Sequence, residues 1–267
     1  MITKSHSEYN SDFVDLSVTC KRERIDYIYV NNINEDDSIN YIRSKAPDLI
    51  YCFGWSQLIS STIINIPAIG VVGFHPAELP HNRGRHPIIW ALVLGLERTA
   101  SSFFFITEGA DDGDIISQEK IDIEYTDNAY TLYNKIMKYA IIQVKTITEQ
   151  FSTGNIARIP QDNGKANYWR KRTEKDGVID WRMSANSIYY LVRALTKPYS
   201  GACFYCNGIK YRVWSVKVLN IQYYDNIEYG KILKVYSETS FMVKTGHGVL
   251  LIEECDIIDL REGEYLL

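Results

Sequence analysis

The residues best equipped for chemistry sit in two polar loops. The first is Gly73-Phe-His-Pro-Ala-Glu-Leu-Pro-His-Asn-Arg-Gly-Arg-His-Pro-Ile-Ile-Trp90, which carries His75. The second is Glu108-Gly-Ala-Asp-Asp-Gly-Asp114, which carries Asp111, 36 residues further on. An imidazole and a carboxylate brought together can donate, accept and pass protons. Alone, a histidine after a strand is ordinarily a loop histidine that has found its hydrogen bonds. Asp112 and Asp114, beside Asp111, read as turn and cap groups.

The flanking sequence says how the two loops are held. Ile69-Gly-Val-Val-Gly-Phe74 is an apolar run that predicts a buried strand delivering His75. Pro76, Pro80, Gly84 and Pro87 keep the next residues irregular, and Pro87 suits the first turn of a helix. Thr99–Ile106 predicts a second buried strand, and Ile115–Gln118 a third. Both polar loops thus follow strand ends, where open α/β sheets bind ligands. Upstream, Asp26–Val30 and Asp48–Phe53 read as strands, and Asp12–Arg22 and Glu35–Ala46 as helices. The alternation indicates a parallel sheet covered by helices.

The block resembles the folate-dependent formyltransferases, which include methionyl-tRNA formyltransferase and the nucleotide-sugar N-formyltransferases. Their pattern is Asn-x-His, Leu-Pro-x-x-Arg-Gly and an Asp in an Ala-Asp-x-Gly loop. His75, Leu79-Pro80, Arg83-Gly84 and Ala110-Asp-Asp-Gly113 stand in those places. Gly73 stands where the family has its Asn. Further on, Lys165-Ala-Asn-Tyr168, Asp176-Gly-Val-Ile-Asp-Trp181 and Lys197-Pro-Tyr-Ser-Gly-Ala202 are similar to family passages.

The resemblance implies a Rossmann-like formyltransferase domain of the α/β class with a mostly parallel sheet, over residues 1–200. A small OB-like β-barrel domain over 201–267 would follow. It also implies that the chain begins one strand and one helix later than the family does. His75, Asp111 and Asn82 are the expected catalytic residues, with Asn82 a candidate for replacing the family's Asn. Formyl transfer to an amine needs a donor where the oxyanion develops and a base for the amine proton. His75 is expected to donate and Asp111 to accept. By analogy the co-substrate, 10-formyltetrahydrofolate, meets Phe53, Gly54, Trp55, Glu108, Gly109 and Ala110. For Phe53 and Trp55, core packing is an equal reading. Arg83 and Arg85 either meet substrate phosphate or brace the loop, and His81 and His86 are expected to be peripheral.

The rest of the chain narrows the acceptor. Asp127–Phe151 reads as a long helix ended by Ser152-Thr-Gly154, and Ser184 as the cap of a helix through Leu195. Beyond Gly201 short strands follow one another at the spacing of a small barrel. Hydrophobic residues at 46% and charged residues at 23% suit a globular chain with a full core. No apolar run reaches the length of a membrane span, and Met1–His6 is no signal peptide. Five cysteines at irregular spacing make no disulfide framework, and they indicate a reduced, cytoplasmic setting. Cys203-Phe-Tyr-Cys206 has no second pair, so packing is favoured over a metal site. The net charge is −4, and Cys206–Leu267 holds seven Lys/Arg against nine Asp/Glu. A domain gripping tRNA should be basic. The expected acceptor is therefore the amine of a nucleotide-linked amino-dideoxy sugar, for a surface polysaccharide or glycan. No nucleic-acid partner is expected, and a homodimer is kept open. Alternatives are methionyl-tRNA formyltransferase, a formyl-folate hydrolase, and a non-catalytic relic suggested by Gly73.

Overall fold

The structure, a computed structural model, describes residues 1–6, 13–221 and 226–266. The elements begin with β1 (Ile2–Thr3), α1 (Ser17–Arg22), β2 (Ile28–Tyr29), α2 (Asp36–Ser44), β3 (Leu49–Cys52) and α3 (Ser61–Ile64). There follow β4 (Gly70–His75), β5 (Arg83–Gly84), α4 (Pro87–Val93), β6 (Arg98–Phe105), β7 (Ile115–Asp122), α5 (Ala129–Thr153) and β8 (Tyr168–Trp169). The last are α6 (Ala185–Leu195), β9 (Ala202–Cys206), β10 (Ile209–Leu219), β11 (Ile232–Ser237), β12 (Ser240–Lys244) and β13 (Val249–Cys255). Two compact units result. Unit 1 gathers Met1–Pro87, Thr99–Ile121 and Ile136–Trp169, and unit 2 gathers Ile88–Arg98, Asp122–Lys135 and Arg170–Leu267.

Unit 1 is built on a four-stranded sheet in the order β3-β4-β6-β7. Strands β3 and β4 run parallel, as do the two-residue pairs β1–β2 and β5–β8. Strand β6 turns antiparallel to β4, with Val72 opposite Phe105 and His75 opposite Ser102. Strands β3 and β4 read as apolar runs because both faces are covered. On one face Val72, Phe103, Phe105 and Ile116 pack with Ala140, Ile147 and Phe151 of α5. On the other, Ile33, Ile39, Ile42, Ile59 and Ile63 form a cluster, with Ile50, Cys52 and Ile106 packed against it. Each such aliphatic or aromatic side chain contributes roughly 1.5–3 kcal/mol on burial.

Several boundaries differ from expectation for local reasons. Helix α1 is helical only from Ser17, where the Asp15 carboxylate accepts from the Ser17 N–H at 2.9 Å; Asp12, the expected start, lies outside the described residues. Strand β7 continues to Asp122, beyond the expected end at Gln118, since Ile121 is buried while Glu119, Lys120 and Asp122 face out. Helix α5 starts at Ala129 because the Asn128 side chain accepts from the N–H groups of Tyr130 and Thr131, both at 3.0 Å. Its buried stripe includes Leu132, Ile136, Ala140, Ile147 and Phe151, whereas Ile141 and Ile142 are exposed.

Unit 2 holds an antiparallel sheet in the order β11-β12-β13-β10-β9. Among the described residues β11 and β9 are the outer strands of this order, an antiparallel β region of the kind expected after Gly201. Ser184 caps α6 as expected, its hydroxyl accepting from the Ser187 N–H at 3.1 Å. Cys203 is buried on β9 while Cys206 ends the same strand half-buried; an offset of three puts them on opposite faces.

Candidate active site

His75 ends β4, and its side chain is 6% exposed. Its Nε2 lies 2.8 Å from the backbone carbonyl of Asn82. A carbonyl only accepts, so Nε2 carries the proton and Nδ1 faces the other way. There it meets Oδ2 of Asp111 at 3.5 Å. The same Oδ2 accepts from the Gly84 N–H at 2.8 Å. Among the described residues Oδ1 of Asp111 has no hydrogen-bond partner, and the side chain is 21% exposed.

Bringing Asp111 there takes a reversal of the chain. Because β4 and β6 are antiparallel, the strand ends carrying His75 and the Asp111 loop point in opposite directions. Residues 107–114 must double back, and they do so tightly. Asp111 takes a left-handed φ of 57°, Thr107 hydrogen-bonds Asp112, and a Cβ on Gly113 would strike the Phe105 carbonyl oxygen. Gln161, a residue with no place in the site expected from the sequence, donates from Nε2 to the carbonyls of Asp111 at 2.9 Å and Gly113 at 2.6 Å.

The Arg83 loop is held as firmly. Arg83 is 1% exposed, and its guanidinium donates to Gln161 Oε1 at 2.8 and 3.1 Å, Asn163 Oδ1 at 2.9 Å and Tyr168 OH at 2.9 Å. Of the two readings for Arg83 this geometry serves the brace, since a buried guanidinium so occupied is withheld from a substrate phosphate. Arg85 is exposed and spends one nitrogen on the Ser56 carbonyl at 2.8 Å, leaving the group open to solvent. Asn82 sits at φ 64°, its N–H donating to Asn167 Oδ1 at 2.8 Å and its Oδ1 accepting from Asn167 Nδ2 at 3.2 Å. It therefore reaches His75 through its backbone, and its carboxamide is turned to Asn167.

Gly73 has no room for a larger residue. A Cβ there would lie 2.9 Å from both Ile106 Cγ1 and Phe104 Cζ. The space a family asparagine would use is filled by side chains of β6 and its end.

The candidate folate residues divide. Phe53 is 42% exposed and packs edge-on to Phe74 and Phe103, whose rings lie on the β4 face opposite Gly73 and His75. Gly54 takes φ 66° in the turn after β3. Trp55 donates to Gln57 Oε1 at 3.2 Å under the Lys4 ammonium. Glu108 and Gly109 are exposed and Ala110 half-buried, and among the described residues the backbone N–H and C=O groups of all three are unengaged. Free backbone donors and acceptors of this kind fit the hydrogen-bonding edge of a pterin. Cys52 precedes Phe53, and burial pushes its thiol up to about 11.

This is a chain with an open α/β sheet, an antiparallel β region and a histidine at the end of a central strand facing an aspartate carboxylate. A family signature described as Formyl transferase matches residues 7–146, and one described as Formyl transferase, C-terminal domain, matches residues 171–260. The chain belongs to the formyl transferase family. The bifunctional polymyxin resistance protein ArnA of Wigglesworthia glossinidia brevipalpis is 33% identical over 213 residues, 80% of this chain. The chain spans only 33% of that protein's length. Among solved structures, WlaRD, a sugar 3N-formyl transferase in the presence of dTDP and 5-N-formyl-THF, matches with a TM-score of 0.69 at 18% identity. That match covers 95% of this chain and 86% of the other. Methionyl-tRNA formyltransferase from Clostridium thermocellum matches with a TM-score of 0.61 at 20% identity, covering 83% and 92%. These two structures share the fold.

Proposed function

We propose that the chain transfers a formyl group from 10-formyltetrahydrofolate to the amine of a nucleotide-linked amino-dideoxy sugar. The observation that carries the reading is the approach of His75 to Asp111 at 3.5 Å inside the family's motif frame. Asp111 offers its unpaired Oδ1 to the incoming amine and takes the proton as the new C–N bond forms. The same proton returns to the folate nitrogen as the old C–N bond breaks. His75, fixed through Nε2–H to Asn82, presents Nδ1 to Oδ2 of the carboxylate, so that same proton can pass from Asp111 to Nδ1 and back before it reaches the folate nitrogen. While it sits there the imidazolium opposes the developing oxyanion. Free backbone groups of Glu108–Ala110 hold the pterin. Arg85, exposed beside the reacting loop, meets a phosphate of the sugar nucleotide.

Charge supports the sugar nucleotide over tRNA as the acceptor. tRNA binding draws on many phosphate contacts, whereas the net charge is −4 and Cys206–Leu267 is acidic by two. A sugar nucleotide offers two phosphates, which one or two cations satisfy. The sugar 3N-formyl transferase among the structural neighbours supports the same choice.

The test is incubation with 10-formyltetrahydrofolate and a panel of amino-sugar nucleotides, read by mass, beside charged methionyl-tRNA. One sugar nucleotide should gain a formyl group, and His75→Ala and Asp111→Ala should each lower the rate by orders of magnitude. Formylation of the tRNA alone, with salt-steep binding, would reverse the acceptor. Full turnover in either variant would remove that residue from the mechanism.

A further inference from the structure

The Asp111 carboxylate can act only if residues 107–114 stay doubled back against β4, and one side chain joins that turn to the rest of the site. Gln161 donates both amide hydrogens to the turn, to the Asp111 and Gly113 carbonyls at 2.9 and 2.6 Å. Its Oε1 accepts two bonds from Arg83, at 3.1 and 2.8 Å. The orientation is forced, since a guanidinium cannot accept and a carbonyl cannot donate. Gly84, next to Arg83, donates back to Asp111 Oδ2 at 2.8 Å, closing a ring of contacts around the carboxylate. Gln161 is anchored two residues earlier, where Ile159 and Ile115 exchange backbone hydrogen bonds at 2.8 and 2.9 Å.

We propose that Gln161 is a positioning residue for formyl transfer, holding the Asp111 carboxylate against His75 by tying its turn to the buried Arg83. The proposal rests on the formyl-transfer reading above. The hydrogen bonds of the Gln161 side chain go to the Asp111 and Gly113 carbonyls and to Arg83, so it acts through the backbone that carries the base. Displacing a reacting group by about 1 Å can cost roughly 100-fold in rate.

Two substitutions in the full chain separate positioning from plain stability. Gln161→Glu keeps the acceptor facing Arg83, now as a charged pair, but sets a carboxylate against two carbonyls. Gln161→Leu removes both halves. Positioning requires that kcat fall about 10–100-fold in both variants, with KM for each substrate within about twofold. Gln161→Glu should melt no lower than Gln161→Leu. A Gln161→Glu chain with wild-type kcat, or a Gln161→Leu chain that melts lower but keeps kcat, would overturn the proposal. If the wild-type chain formylates no acceptor, the functional reading fails separately. The decision then passes to the His75 ring resonances in two-dimensional NMR. They should move in Gln161→Glu as they do in Asp111→Asn, and unmoved resonances in Gln161→Glu would overturn the positioning role.

Discussion

Restoring the family's asparagine at position 73 should damage this protein, and the structure gives the size of the damage. A Cβ on Gly73 would meet Ile106 Cγ1 at 2.9 Å, with Phe104 Cζ at 2.9 Å and Cε1 at 3.1 Å. Phe104 is 4% exposed and packed with Leu79 and Ile115, so it cannot swing away freely. Forcing extra atoms into such a place costs about 1–3 kcal/mol. A buried carboxamide without partners adds about 1–3 kcal/mol. Gly73→Asn should therefore lose about 4 kcal/mol, which at roughly 2–4 °C per kcal/mol lowers the melting temperature by about 8–16 °C. Formyl transfer should not rise. Pairing it with Phe104→Leu opens the space, so the two losses should be less than additive by roughly 0.5–3 kcal/mol. The measurement is thermal and urea unfolding of the two single variants and the double. A Gly73→Asn chain melting beside the parent, or no coupling in the double, would show that the space is open and refute the packing argument. A gain in transfer rate would show that an asparagine amide can still be seated at the reacting centre.

Two further outcomes follow from ionisation. Burial pushes the Cys52 thiol up to about 11 and, with acidic neighbours Asp256 and Glu254, Cys255 up to about 12; at pH 8 both should alkylate roughly a hundredfold or more slower than the same cysteines in the unfolded chain, as followed by peptide mass. Asp176 is held well below the usual carboxylate range, first by the Arg170 guanidinium and then by the Thr173 N–H. A depressed carboxylate contributes stability that is present above its unfolded value of about 3.9 and lost as pH falls through the folded value. The parent should lose more stability than Asp176→Asn between about pH 5 and pH 2, and parallel curves would contradict this.

What could be read from the sequence was whatever depends on neighbours in the chain. The apolar run of β4, the proline opening α4 and the serine capping α6 each carry their cause within a few residues. The His75–Asp111 pair was legible as two motifs at a fixed separation. The rest depends on pairing over long distances. Nothing local announces that β6 runs antiparallel to β4, so the doubling back of the Asp111 turn was hidden. Asn82 looked like a spare carboxamide for the reacting centre; only Asn167, 85 residues on, shows where that side chain is turned. Arg83 beside Arg85 suggested a shared task, yet one is sealed among Gln161, Asn163 and Tyr168 while the other faces solvent. Gln161 had a signal of a kind, a lone amide just before the Asn-Gly-Lys turn, but no local pattern says what it holds.

The division of the chain has a practical side. Unit 1 is made from three separate stretches, and so is unit 2. The polypeptide leaves each unit and re-enters it, so no single cleavage releases either one whole. Limited proteolysis followed by separation of the pieces should yield fragments that lack strands or helices of both units. Dissecting the chain by truncation would therefore confuse loss of a site with loss of a scaffold. Point substitutions such as those above, or a circular permutant whose new ends fall in an exposed loop, are the cleaner instruments.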